Sequence, residues 1–228
     1  MTILGIIILI IGIILIIIAK SQKKIREAVS AGVKVSIKDI KPGIPIEIFG
    51  TVESAEPLKT PFGKRPCIYY EYELERGEES TENPSQYVWR RIAQDSASIP
   101  FYAKDDTGRV MIYPEGAGIE APKVSEKFVG PESLADNPVT GGLISIIQNA
   151  PSRVREKALL VNSPVYVLGE AMPLEKEMVI QKGRSPFLIS YKTEQEVQKE
   201  LEKNITVLAT LGILGLIAGI VLIVVGLL

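Results

Sequence analysis

The chain has 228 residues, with 26 Lys or Arg, 27 Asp or Glu, no His and a net charge of −1. One Cys and no His exclude a Cys/His zinc site, an intrachain disulfide, a Ser-His-Asp triad and a Cys-His dyad within these residues. A charge this close to zero also speaks against a nucleic-acid binder, whose electrostatics ordinarily show as a strong basic excess.

Thr2 to Ala19 is an uncharged run of 18 residues, mostly Ile. As a helix it reaches about 27 Å, close to the ~30 Å hydrocarbon core of a bilayer. A cleaved signal peptide carries basic residues before its apolar stretch. Here Lys20, Lys23, Lys24 and Arg26 all follow it, which predicts a retained transmembrane helix over residues 2–19. Residues 20–32 form a basic juxtamembrane segment, in which the helix continues over Ser21 to Ser30 and Gly32 ends it. Lys199 and Lys203 precede the second apolar run, and nothing charged lies on the outer flanks. The positive-inside rule then places both chain ends outside and the intervening domain in the cytoplasm of a multi-pass cell-membrane protein.

Residues 33–192 change to short alternating runs divided by Pro and Gly. Ile44, Ile46 and Ile48 alternate until Gly50, which reads as the end of that strand. Ile68, Tyr70, Tyr72 and Leu74 form one face of a strand, with Tyr69, Glu71, Glu73 and Glu75 on the other. Tyr87 to Ile92 is its expected partner, which brings Arg90 and Arg91 to the solvated glutamates. Phe101–Ala103 and Val110–Ile112 flank Asp105-Asp106-Thr107-Gly108, a hairpin turn. Pro131 to Lys157 reads as non-strand, with Gly142 to Asn149 either a short helix or an amphipathic patch on the bilayer or the domain. Further strands are expected at Val165–Gly169, Met178–Gln181 and Phe187–Tyr191.

Thr193-Glu194-Gln195-Glu196 matches a capping box. It opens a connecting helix over residues 193–204 that runs without a break into a second span, residues 205–228. Gly212, Gly215 and Gly219 offer small surfaces there, with Gly215 and Gly219 at the helix-contact spacing. Gly5 and Gly12 lie seven apart on the first helix. Two readings stand: helix–helix packing, within or between chains, or the ordinary abundance of Gly in membrane helices. The fold class is therefore α+β: a β-rich, barrel- or sandwich-like domain between two transmembrane helices, the second continuous with the domain.

Chemistry is sparse along this chain. Asp106-Thr107-Gly108 spells the aspartic-protease tripeptide, but that chemistry needs two carboxylates sharing a proton, and the single copy sits in a polar turn. Glu71, Glu73 and Glu75 read as a solvated strand face. Cys67 has Lys64 and Arg65 nearby but no His to act as base, so burial is its expected role. Gly116, Gly118, Gly141 and Gly142 make no phosphate-binding fingerprint. With Lys20, Lys23, Lys24, Arg26, Glu27, Glu202 and Lys203 set aside, 21 basic and 25 acidic residues remain. The resulting charge, near −4, argues against docking on anionic lipid through a broad electrostatic surface.

The stretches Pro61 to Tyr70 (PFGKRPCIYY), Asp105 to Val110 (DDTGRV), Val165 to Ala171 (VYVLGEA) and Phe187 to Lys192 (FLISYK) resemble the GIDE-type, or BAM ("beside a membrane"), family. The similarity covers most of Val33 to Leu228, and its closing part is the most specific. The residues that match are Pro61, Gly63, Pro66, Cys67, Tyr70, Asp106, Gly108, Gly169, Glu170 and Ser190. The family includes membrane-anchored RING ubiquitin ligases of mitochondria, which hold this domain in the intermembrane space, and shorter prokaryotic relatives. The resemblance implies E3 ubiquitin transferase activity residing in a C-terminal zinc-binding RING. The ligands for a RING are not among these residues, so the expected form is a prokaryotic-type member lacking it.

Three functions are expected in descending order. The first is a non-catalytic module that binds a protein or lipid partner at the bilayer, without cofactor or nucleic acid. Its partners are the lipid bilayer, a protein in the membrane and a second copy of the chain. The second is a ligase component whose RING comes from another polypeptide. The third, an oligomeric two-span channel, is disfavoured because only Thr2, Thr206 and Thr210 put polar groups into the spans.

Overall fold

The structure is a computed structural model that describes residues 1–81, 86–130, 150–175 and 177–227. Two helices, both long and apolar enough to cross a membrane, flank a strand-rich, barrel-like domain. Helix α1 spans Thr2–Ala31 and α2 spans Glu194–Val225. Neither contains Pro, so each satisfies its own backbone groups without interruption, as hydrocarbon surroundings demand.

The helices run antiparallel, and small residues let them approach. Gly5, Gly12 and Ala19 on α1 are buried, as are Gly212 and Gly219 on α2. A seven-residue repeat of small side chains keeps one seam of each helix against its partner. A methyl group added at Gly12 would lie 2.9 Å from both Gly212 O and Leu216 N, and one added at Gly219 would lie 2.8 Å from Leu9 N. Gly215 sits at the rim, where its added methyl would be 3.2 Å from Gly12 Cα.

Strands follow in the order β1 (Val33–Lys34), β2 (Pro45–Glu53), β3 (Leu58–Lys59), β4 (Pro66–Glu79), β5 (Tyr87–Ser98), β6 (Phe101–Asp105), β7 (Gly108–Ile112), β8 (Gly118–Glu120), β9 (Lys123–Val129), β10 (Ser152–Leu160), β11 (Pro164–Leu174), β12 (Glu177–Gln181) and β13 (Leu188–Ser190). The first sheet runs β1-β2-β6-β7-β12-β11-β13-β8, and β2 also pairs with β11. That last pairing closes β2, β6, β7, β12 and β11 into a ring. Ile46 and Ile48 from β2, Phe101 and Ala103 from β6, Val110 and Ile112 from β7, Val165 and Val167 from β11 and Ile180 from β12 fill it. The second sheet is built on β4, which pairs with β3, β5 and β10, while β9 lies beyond β10.

Three sequence expectations need correction. β2 does not stop at Gly50 but continues to Glu53. Gly50 serves close approach instead, since an added methyl would lie 2.7 Å from Lys104 O on β6. The stretch from Pro131 to Lys157 is not wholly outside strands, because β10 begins at Ser152. Its outward Arg153, Arg155 and Lys157 imitate a loop, while Val154 and Ala158 face the interior beside a buried Glu156. Glu75 is not solvated: it is buried against Arg153 at 2.5 Å and Arg155 at 3.4 Å. Arg91 meets Glu73 at 3.1 Å, as the strand pairing implied, whereas Arg90 meets Glu78 at 2.5 Å, because β4 runs on to Glu79. The Gly142–Asn149 reading lies outside the described residues.

The capping box at Thr193 is formed. Its hydroxyl accepts the Glu196 N–H at 3.4 Å, and the Glu196 carboxylate accepts the Thr193 N–H at 2.9 Å. Val197 and Leu201 then pack with Val29 of α1 and Tyr166, Leu168 and Leu188 of the barrel, welding both helices to its outer wall. Thr193→Ala is expected to lower stability by about 1 kcal/mol, seen as a melting temperature roughly 2–4 °C lower for the full chain in detergent.

Candidate functional site

The residues with the most unusual environments gather where the two helices leave the barrel. Side chains alternate along β2, so Glu47 points away from the interior that Ile46 and Ile48 fill. In register with it on β11 is Leu168, two residues from Tyr166. The end of α1 and the start of α2 cover this patch, and Glu47 is left 1 % exposed. Among the described residues, neither of its carboxylate oxygens has a hydrogen-bond partner within bonding geometry, nor has the adjacent Tyr166 hydroxyl. Burial, reinforced by the nearby Glu194 carboxylate, pushes the Glu47 pKa from 4.5 up to about 7, against the opposing influence of Tyr166 and Lys34. Burial also pushes the Tyr166 hydroxyl well above its ordinary value. Lys34 is committed to Glu194, 2.5 Å away.

Gly32 ends α1 in an extended conformation (φ −61°, ψ 140°) rather than a left-handed one. Its role is steric, because an added methyl would lie 2.3 Å from Glu47 Oε1. Glu47 is thus a sealed carboxyl that holds a proton near neutrality, without the access that a general base needs to reach a substrate.

Beside this junction a groove of about 570 Å³ separates the first turns of α1 beyond its apolar run from two barrel loops. Lys24 of α1, Lys182 and Arg184 line it together with Ile25, Phe187 and Gly116. Glu170 holds the second loop: its carboxylate accepts the Arg184 N–H at 3.0 Å, and it packs so closely on Gly183 that a methyl there would meet it at 2.1 Å. Gly169 is as crowded, with Ile180 2.6 Å and Phe187 3.0 Å from the position of an added methyl. On β13 the Ser190 hydroxyl donates to Glu120 at 2.8 Å and accepts the Lys192 N–H at 3.1 Å. Gly169, Glu170 and Ser190 therefore shape the helix-proximal side of the barrel.

The other singled-out residues lie elsewhere. Pro61 and Gly63 belong to a loop wrapped over the buried Glu156, which accepts the Phe62 N–H at 2.8 Å, and Pro66 and Cys67 begin β4 just after it. Burial and the Glu156 charge push the Cys67 thiol up to about 11, so it is no nucleophile. Tyr70 faces Ala97 across the β4–β5 pair. Asp106 and Gly108 lie in the β6–β7 turn, but Asp105 organises it. Asp105 accepts the Thr107 N–H at 2.7 Å, the Gly108 N–H at 3.0 Å and, from a distant segment, the Ile37 N–H at 2.9 Å. Partial burial works against its ionisation, yet these hydrogen bonds outweigh it and hold the carboxyl below its ordinary value.

The outer face of the second sheet carries an aromatic group that sequence reasoning passed over. Trp89 lies between Tyr87 (6.1 Å between ring centres) and Phe128 (5.8 Å), and the Arg153 guanidinium sits 4.2 Å above it. Phe128 is 76 % exposed. The alternation of β5 hinted at this group, but β9 and β10, which complete it, come from far along the chain.

The GIDE family model, described as an E3 ubiquitin ligase, matches residues 70–225. A comparison with curated proteins finds no match, and neither does one with solved structures.

Proposed function

The chain belongs to the GIDE family, and on that premise we propose that it is a two-span membrane protein whose barrel serves as a non-catalytic docking module for a protein partner beside the bilayer. One observation carries this reading. Helix α2 runs without interruption from the capping box in the domain to Val225, and Val197 and Leu201 lock it to Tyr166, Leu168 and Leu188. Such a rod transmits the orientation of the membrane helices to the barrel and holds one face toward lipid and the other away from it. The Tyr87, Trp89, Phe128 and Arg153 cluster has the composition of interface anchors, which favour aromatic residues and Arg. Lys20, Lys23, Lys24 and Arg26 support a cytoplasmic domain in a cell membrane.

The family description favours a second reading, in which the chain works in a ubiquitin ligase system. The zinc ligands of a RING are not among these 228 residues, and this reading takes the RING from another polypeptide. A photo-reactive residue at Phe128 of the full chain, activated in native membranes, is expected to give a discrete protein adduct that Trp89→Ala reduces several-fold. An adduct containing a RING protein supports the second reading. Equal labelling from Phe128 and from Lys157, on the same sheet but outside the cluster, overturns the docking surface.

A further inference from the structure

We propose that the groove beside the helix junction binds the phosphate of one anionic phospholipid, with Lys24, Lys182 and Arg184 as its cationic wall. The proposal rests on the two-span reading above and adds a ligand class to it.

Depth is the first argument. The uncharged run of α1 ends at Ala19, and Ser21 to Glu27 contribute the groove's helical side. Those residues stand two to eight positions beyond the run, or about 3–12 Å at 1.5 Å per residue. The headgroup layer occupies roughly 5–7 Å on each side of the hydrocarbon core. The groove therefore opens at the level of lipid phosphates.

Charge is the second. Among the described residues, neither Lys24, Lys182 nor Arg184 makes an ion pair; the Lys182 ammonium makes one long contact, to Ser185 O at 3.4 Å. The single carboxylate among the groove's described residues, Glu27, is turned to Lys23 at 3.8 Å. Three uncommitted cations face one opening in a domain whose remaining charge is acidic. This is a local site rather than the broad basic surface that the composition excludes. A zwitterionic choline headgroup would bring a fourth positive charge to it.

Shape is the third. Ile25, Phe187 and Leu188 give the groove an apolar wall beside its cations. A lipid presents that combination, a phosphate with glycerol and the first acyl methylenes beneath it, whereas inorganic phosphate leaves the apolar wall unused. A volume of about 570 Å³ lies within the usual range of about 300–1,000 Å³ for small-ligand pockets. The Arg184 loop is held in place by Glu170 through the Arg184 N–H, and the other loop turns at Gly116, left-handed at φ 75°.

The test uses the full chain, purified and delipidated in mild detergent, titrated with phosphatidylglycerol and followed by native mass spectrometry. One phosphatidylglycerol per chain is expected to be retained, with phosphatidylcholine at least fivefold weaker and millimolar inorganic phosphate unable to compete. Lys24→Ala and Arg184→Ala, at exposed side chains, should each weaken retention roughly fivefold, the worth of one cation near an anionic lipid. Lys199→Ala and Lys203→Ala, basic residues of α2 outside the groove, should leave it unchanged. Equal loss from the α2 variants, equal retention of phosphatidylcholine, or displacement by inorganic phosphate would overturn the proposal. Retention of the chain in carbonate-washed membranes without bound phosphatidylglycerol removes the lipid site alone. Release by carbonate removes the two-span reading beneath it.

Discussion

Gly12→Leu is expected to force α1 and α2 apart and to lower the melting temperature of the full chain in detergent by several degrees. The atoms that would meet the new side chain are backbone: Gly212 O and Leu216 N at 2.9 Å from its first carbon and Gly215 C at 3.2 Å. A flexible neighbour can turn aside, but a helix backbone yields only by moving as a whole. Overpacking of this kind costs about 1–3 kcal/mol, and about 1 kcal/mol moves the melting point of a chain this size roughly 2–4 °C. In lipid there is no hydrophobic force to restore the contact, because acyl chains are as apolar as the helices. The separation should also propagate, since Val29 and Val197 join the two helices at the barrel. Ile11→Leu, at a 51 % exposed position on the same helix, is the control and should leave the melt unchanged. An unaltered melting temperature for Gly12→Leu would show that the seam does not hold the pair together.

Glu47→Gln is expected to abolish a pH dependence of stability that the native chain carries. With its pKa raised from 4.5 to about 7 in the folded state, Glu47 keeps a proton on folding that the unfolded chain releases between those values. Folding therefore takes up protons in this window. The Glu47 contribution to stability is full below pH 4.5, falls as pH rises towards 7, and stays lost above it. At about 1.4 kcal/mol per pH unit the gap amounts to about 3 kcal/mol. The variant should match the native chain near pH 4 and exceed it at pH 8, by less than that figure because a buried amide also lacks partners. Lys34, held above its ordinary value by its pairing with Glu194, stays charged across this range and adds no slope. Unfolding of the full chain in detergent from pH 4 to 8 reads the difference. Parallel curves for the two proteins would mean that the Glu47 carboxyl is ionised throughout, and that the junction stores no proton.

Both predictions concern the places where helix meets helix and helix meets barrel, and these differ in how far the chain announces them. The two membrane-length helices are legible because 18 uncharged residues at Thr2–Ala19 and 24 at Ile205–Leu228 form long, unbroken apolar runs. The capping box at Thr193, the turn after Phe101–Ala103 and the two faces of β4 are legible because each depends on neighbours a few positions away. Gly50 misled because a glycine inside an alternating run reads as a break, when here it accommodates Lys104 of another strand. β10 misled because Arg153, Arg155 and Lys157 point outward to Glu75, Glu126 and Glu71, and charge at every second position reads as loop when the partner strands are unknown. The basic groove had half a signal: Lys24 stood out beside the first apolar run, while nothing local marks Lys182 and Arg184.

The amino-acid order by itself determined two hydrocarbon-length helices, an alternating middle too poor in His and Cys for imidazole or zinc chemistry, and a rigid entry into the second helix. Those properties follow from local periodicity and residue type. Only the tertiary structure decided that β2 pairs with β11, and so that Glu47 lies beside Tyr166 under two helix ends, Ala31 and Glu194, far apart in the chain. Only it decided that Lys24 shares an opening with Lys182 and Arg184. A period of two tells which side of a strand a residue faces but not what covers that side. The burial that raises a carboxyl's pKa and the gathering of like charges into one groove are both set by elements distant in the chain.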